Sequence, residues 1–236
     1  MIRAVIFDMY ETLITHYKSP LCFSMQLAEA AGIPLERFQA LWFPTDVARS
    51  TGRLTLEAAL ADILSRCGVD ADTRLRALVE KRSAIKRDCF LHLHEEILPM
   101  LDGLRTRGLR IGLVSNCYSE EASAIRESDL FPRFDAAMLS WEQGIQKPDP
   151  EIFLRCTQAL GVAPQECLYV GDGGSHELEA AQALGMQAGQ ATWYFQQGVT
   201  PMQVNDAFPE LRSPLDVLAW IDTQNIEIRF SDKSEP

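Results

Sequence analysis

Three short apolar runs recur along the chain, and each stops at a polar cluster. Ala4-Val5-Ile6-Phe7 ends at Asp8, Leu109-Arg110-Ile111-Gly112-Leu113-Val114 ends at Ser115-Asn116, and Cys167-Leu168-Tyr169-Val170 ends at Gly171-Asp172. Nearly continuous apolar runs, without polar alternation, belong to strands covered on both faces, as in parallel sheets. The second and third runs follow segments of helical character, Ile97 to Arg107 and Pro150 to Leu160, closed by Gly108 and Gly161. Helices alternating with buried strands predict an α/β, doubly wound sheet that gathers its ligands at the carboxyl ends of the strands.

From Ile14 to Phe90 the pattern turns helical, with no convincing strand. Helices are expected to start near Pro34-Leu35-Glu36 and at Thr55-Leu56-Glu57, with Thr55 as an N-cap. This reads as an all-helical cap, residues 15–90, inserted into a core formed by residues 1–14 and 91–236. A last helix is expected from Leu215 to Ile221, and a frayed tail from Ser231 to Pro236.

Composition narrows the class. A chain of 236 residues accommodates one sizeable core and a small accessory domain, and it contains no apolar run long enough to span a bilayer. The start, with one arginine and a short apolar run before Asp8, reads as a strand rather than a signal peptide. Six scattered cysteines with no Cys-x-x-Cys pair read as reduced thiols, which suits a cytoplasmic protein. The net charge of -11 argues against binding to nucleic acid or anionic membranes. A small anionic substrate remains compatible, because a few local cations and a metal reverse the potential inside one pocket. No feature decides the oligomeric state.

Four polar clusters follow in order: Asp8-Met9-Tyr10-Glu11-Thr12-Leu13, Ser115-Asn116, Lys147-Pro148-Asp149-Pro150, and Gly171-Asp172-Gly173-Gly174-Ser175-His176-Glu177-Leu178. This succession, with a helical insertion after the first cluster, resembles the four motifs of the haloacid dehalogenase-like superfamily. The resemblance implies a Rossmann-like core with a mobile cap, and a catalytic cycle through an ester on Asp8. It casts Asp8 as nucleophile, with Thr12, Ser115 and the backbone amide of Asn116 as donors to the transferred group. Lys147 would keep Asp8 ionised and neutralise transition-state charge. Magnesium would be held by Asp8, Asp172, the carbonyl of Tyr10 and Glu177, the last directly or through a water.

One position departs from the phosphatase pattern. The residue two after the nucleophile is there a second aspartate, which protonates the leaving oxygen and later activates water; here it is Tyr10. A phenol is a poor base near neutral pH. Tyrosine at this place also resembles the metal-free 2-haloacid dehalogenases, whose leaving halide needs no proton. Asp172 and Glu177 retain the metal-binding pattern, so a magnesium-dependent phosphatase of a small phosphorylated metabolite is the favoured reading. A carbon–halogen hydrolase and a non-catalytic phosphate-binding relative are the alternatives. Glu11, His16, His176 or a cap residue are candidates for the missing acid. Arg49 and Arg53 are the cap's candidate substrate ligands, with Trp42 and Phe43 as apolar lining, and Trp141 and Trp193-Tyr194 are further candidates to face the pocket.

Overall fold

The computed structural model describes residues 1–231, with the side chains of residues 72, 73 and 225–231 excepted; the tail beyond Ser231 lies outside the described residues. Six strands, β1 (Ala4–Phe7), β2 (Arg110–Ser115), β3 (Ala136–Leu139), β4 (Cys167–Gly171), β5 (Gln187–Ala191) and β6 (Glu210–Leu211), form one sheet in the order β3-β2-β1-β4-β5-β6. Every pairing is parallel. Eleven helices are described: α1 (Ser24–Ala31), α2 (Leu35–Trp42), α3 (Asp46–Ser50), α4 (Leu56–Arg66), α5 (Ala71–Asp88), α6 (Ile97–Thr106), α7 (Ser119–Glu127), α8 (Ser140–Gln143), α9 (Pro150–Leu160), α10 (Glu177–Ala183) and α11 (Asp216–Ser231).

Successive strand residues point to opposite faces, so each strand feeds two apolar layers. Val5, Phe7, Ile111, Leu113, Leu168 and Val170 pack with α6, α7 and α11. Ala4, Ile6, Val114, Cys167 and Tyr169 pack with α9 and α10 on the other side. The fold is thus the expected doubly wound parallel sheet, sandwiched between helices. Helices α1, α2, α4 and α5 build a third apolar cluster of their own, with Leu27, Phe38, Trp42, Leu60 and Ile63 among its buried members. Thr55 caps α4 by accepting from the amide of Ala58. All six cysteines are free thiols.

The register places the site. Phe7 lies beside Leu113 on one flank and Val170 on the other. Strands β1, β2 and β4 therefore end within two residues of one another, and the residues that follow them gather at one end of the sheet. Strands β3 and β6 were not signalled by an apolar run: β3 is half-buried Ala-Ala-Met-Leu, and β6 is two residues long. The last helix runs to Ser231, past the Ile221 expected; its continuation Asp222-Thr223-Gln224 is polar and carries no apolar period to signal it.

Candidate active site

The polar ends of β1 and β4 and the turn before α9 meet around one ammonium group. The Asp8 amide donates to the Val170 carbonyl at 2.9 Å, which continues the β1–β4 ladder and sets the carboxylate at the sheet edge. Lys147 Nζ donates to Asp8 Oδ1 at 2.5 Å and to Glu177 Oε2 at 2.5 Å. The Tyr169 hydroxyl donates to the same Glu177 oxygen at 2.8 Å, and the Gly173 amide donates to Oε1 at 3.1 Å. Glu177 can fold back this far because Gly171 has no side chain: a Cβ there would stand 2.0 Å from Glu177 Oε1. Asp8, Asp172 and Glu177 each present an oxygen within 4.8 Å of the others.

Asn116 fixes the lysine loop to the end of β2. Its Oδ1 accepts from the Lys147 amide at 2.7 Å, and its Nδ2 donates to the Lys147 carbonyl at 3.0 Å and to Ser175 Oγ at 3.3 Å. The side chain therefore positions Lys147. Thr12 and Ser115 are fully buried. Thr12 Oγ1 has no partner among the described residues, and Ser115 Oγ reaches only a 3.5 Å contact with the Asn116 carbonyl. Trp193 Nε1 donates to the Thr12 carbonyl at 2.7 Å, and the Tyr194 hydroxyl contacts that of Leu13 at 3.4 Å. These two aromatics, candidates to face the pocket, hold the turn that carries Thr12.

Asp8 and Glu177 share the ammonium of Lys147, and Asp172 adds a third carboxylate beside them. Burial, reinforced by the charges of Glu177 and Asp172, raises the Asp8 carboxyl well above the usual range against the opposing pull of Lys147. Burial followed by repulsion from Glu177 pushes Asp172 up to about 7. Burial opposes the charge on Lys147, but Asp8 and Glu177 outweigh it and hold the ammonium above its ordinary range. Excess buried negative charge, presented entirely by oxygens, suits a hard divalent cation such as magnesium.

Tyr10 cannot take a proton from water. Burial, then the charge of Glu121, raises its phenol well above the ordinary value. Its hydroxyl has no partner among the described residues, and its ring stacks on His16 at 4.5 Å. His16 Nδ1 lies 3.0 Å from Glu11 Oε1, and the Thr15 hydroxyl and His16 amide also donate to the Glu11 carboxylate. Glu11 is thereby committed to its own turn. His176 is exposed, at a positive φ of 53°.

The cap arginines are placed elsewhere than expected. Arg49 is buried with its guanidinium 3.6 Å from the Trp42 ring and 4.3 Å from the Tyr118 ring, bonded to Thr45 and Asp46. It belongs to the cap's packing with α7. Arg53 is exposed and bonds Thr51. Trp42 joins the cap core, Phe43 is exposed, and Trp141 packs on the sheet's apolar layer.

A buried ionic network faces Tyr10 from the cap, and the sequence pattern did not single it out. Arg82 on α5 donates to Glu120 at 2.6 Å and to Glu121 at 3.4 Å, and also reaches the Cys22 carbonyl. Lys86, one turn on, lies 2.7 Å from Glu121 and 2.6 Å from His16 Nε2. Arg82 and Lys86 share a helix face at i,i+4. Glu120 and Glu121 read as ordinary first-turn acids of α7. Only packing reveals that the two pairs meet.

A family model described as haloacid dehalogenase-like hydrolase matches residues 2–185. The chain belongs to this family, and it is a hydrolase. It is 26% identical over 198 residues to a glyceraldehyde 3-phosphate phosphatase of Methanopyrus kandleri, covering 79% of this chain and 82% of that protein. It is 32% identical over 121 residues to a phosphoserine phosphatase of Thermus thermophilus, covering 51% and 47%, so it spans about half the length of that relative. A solved family enzyme of Bacteroides thetaiotaomicron, in complex with magnesium and inorganic phosphate, superposes with a TM-score of 0.64 at 18% identity, covering 84% and 98%. An L-2-haloacid dehalogenase superposes at 0.60 with 20% identity, covering 94% and 99%. At these identities the structural likenesses establish the shared fold. Among the described residues no helix is long and apolar enough to cross a membrane.

Proposed function

We propose that the chain is a magnesium-dependent phosphatase of a small phosphorylated metabolite that works through an aspartyl-phosphate on Asp8. The observation that carries this reading is the convergence of Asp8, Asp172 and Glu177 around Lys147. A metal-free displacement has no evident use for that excess of buried acid.

Asp8 attacks phosphorus, the phosphorus–alcohol bond breaks, and the alcohol leaves with one proton. Water then attacks the aspartyl-phosphate, loses one proton, and releases inorganic phosphate with the Asp8 carboxylate restored. Lys147 orients Asp8 and offsets charge on the transferred group. The hydroxyls of Thr12 and Ser115, with the Asn116 amide, donate to its oxygens. Magnesium would be held by Asp8, Asp172 and the Tyr10 carbonyl, with Glu177 at the edge through a water. It supplies electrostatic stabilisation of the phosphoryl oxygens. Tyr10, held protonated, can donate a hydrogen bond to the leaving oxygen.

The second reading, carbon–halogen hydrolysis, is favoured by Tyr10 alone, since a departing halide needs no proton. One assay separates the two: phosphate release from an aryl phosphate, with magnesium or with chelator, beside halide release from a 2-haloacid. Phosphate release that requires magnesium and vanishes in Asp8→Asn supports the phosphatase. Halide release in chelator, with no phosphate release under any condition, replaces it with the dehalogenase.

A further inference from the structure

Between cap and core, beside the Tyr10 and Asn116 end of the site, lies a cavity of about 320 Å³. Resting on the phosphate-ester reading, we infer that this cavity receives the alcohol part of the substrate and selects one that is small, uncharged and hydroxyl-bearing. The substrate class is then the monophosphate of a small polyol or hydroxyaldehyde, not of a hydroxy acid.

Size sets the first limit. The cavity stands at the bottom of the range of roughly 300–1,000 Å³ found for small-molecule sites. Charge sets the second. The charged side chains on its wall include Arg82, Lys86, Glu121 and Asp46, and each is matched. Arg82 is paired with Glu120 and Glu121, Lys86 with Glu121, and Asp46 with Arg49. Three cations thus meet three acids, and a substrate carboxylate would enter a space whose positive charge is already spent, at a cost that an uncharged group avoids. Arg49 Nη1 has no acceptor among the described residues, but Arg49 is outside the set of residues that line this cavity.

Open hydrogen-bonding groups set the third limit. The Tyr10 hydroxyl and Gln146 Oε1, both on the wall, have no partner among the described residues. Lys86 Nζ has three N–H donors, two of them directed at His16 Nε2 and Glu121. The third is open. The wall therefore offers one ammonium donor, one hydroxyl that gives or accepts, and one amide acceptor. A carboxylate cannot donate to Gln146, whereas a hydroxyl satisfies all three in turn.

The test compares two substrates on one carbon skeleton, glycerol 3-phosphate and 3-phosphoglycerate, with an aryl phosphate as reference. The expected result is a kcat/KM at least about tenfold higher for the alcohol, as one unpaired buried charge costs. In Gln146→Ala, with unfolding by urea checked to be unaltered, KM for glycerol 3-phosphate should rise about fivefold with kcat moving less, as for one lost neutral hydrogen bond. Equal or better turnover of 3-phosphoglycerate overturns the inference, as does an unmoved KM in Gln146→Ala. If the aryl phosphate alone is hydrolysed, the phosphatase reading survives and this inference falls; if no phosphate ester is hydrolysed, both fall.

Discussion

Lys147 stands as near to Glu177 as to Asp8, its Nζ 2.5 Å from an oxygen of each. The acid at 177 therefore does more than add charge to the cleft. With Tyr169 and Gly173 it forms a seat that keeps the ammonium against Asp8.

That seat depends on the missing side chain at position 171. Gly171→Ala places a Cβ within 2.0 Å of Glu177 Oε1 and 2.6 Å of its Cδ, so Glu177 must move and Lys147 loses a partner. A displacement of this order should lower kcat/KM about 100-fold. Overpacking should cost about 1–3 kcal/mol in urea unfolding. Full activity in Gly171→Ala would show that Glu177 does not position the lysine.

Replacing the lysine itself leaves Asp8 and Glu177 buried without a cation. Lys147→Met is expected to destabilise the metal-free protein by about 3 kcal/mol at neutral pH. The loss should shrink as pH falls and Asp8 takes a proton. Urea denaturation at pH 5 and pH 8 reads the difference; a loss that grows on acidification contradicts the assignment.

Stability and magnesium affinity should vary with pH in a defined sense. Asp172, ordinarily at 3.8, is raised to about 7 in the folded protein. The folded state therefore binds more protons than the unfolded one across that window, and stability falls as pH rises through it. Glu121 works oppositely: burial opposes its charge, but Lys86 and Arg82 outweigh this and pull it from 4.5 down to about 2. Its contribution is present above 4.5 and lost as pH falls towards 2. The metal-free protein should thus be most stable in mildly acid solution. Because magnesium displaces protons from the same carboxylates, the rise in Tm on adding it should be larger at pH 8 than at pH 5. A pH-independent rise would place the cation elsewhere.

The cap is tied to the core by the pairing of Arg82 and Lys86 with Glu120 and Glu121. Glu121→Gln leaves Lys86 with no carboxylate partner among the described residues and should cost about 3 kcal/mol in urea unfolding. A change below about 0.5 kcal/mol, the scale of an exposed pair, would mean that the network is solvated.

Much of the candidate site was legible because its parts are local. Asp8, Lys147 and Asp172 each end or adjoin an apolar run or a helix start, and backbone geometry alone delivers such residues to the strand ends. Asn116 was legible by place but not by role: its side chain serves the lysine loop, a contact across 31 positions. Trp193 and Tyr194 likewise act on Thr12 and Leu13 across 181 positions. Arg49 was misplaced because a guanidinium on a lid has no sequence mark distinguishing a ligand from a cation stacked between two rings.

The order of apolar runs and polar clusters determined by itself the doubly wound sheet, the helical insertion and the family, since strand burial and helix period are written in neighbouring residues. Only the tertiary structure decided what lines the cavity between cap and core. Whether a buried charge is free or neutralised depends on partners far along the chain, and the pairing of α5 with α7 neutralises charged side chains on that wall.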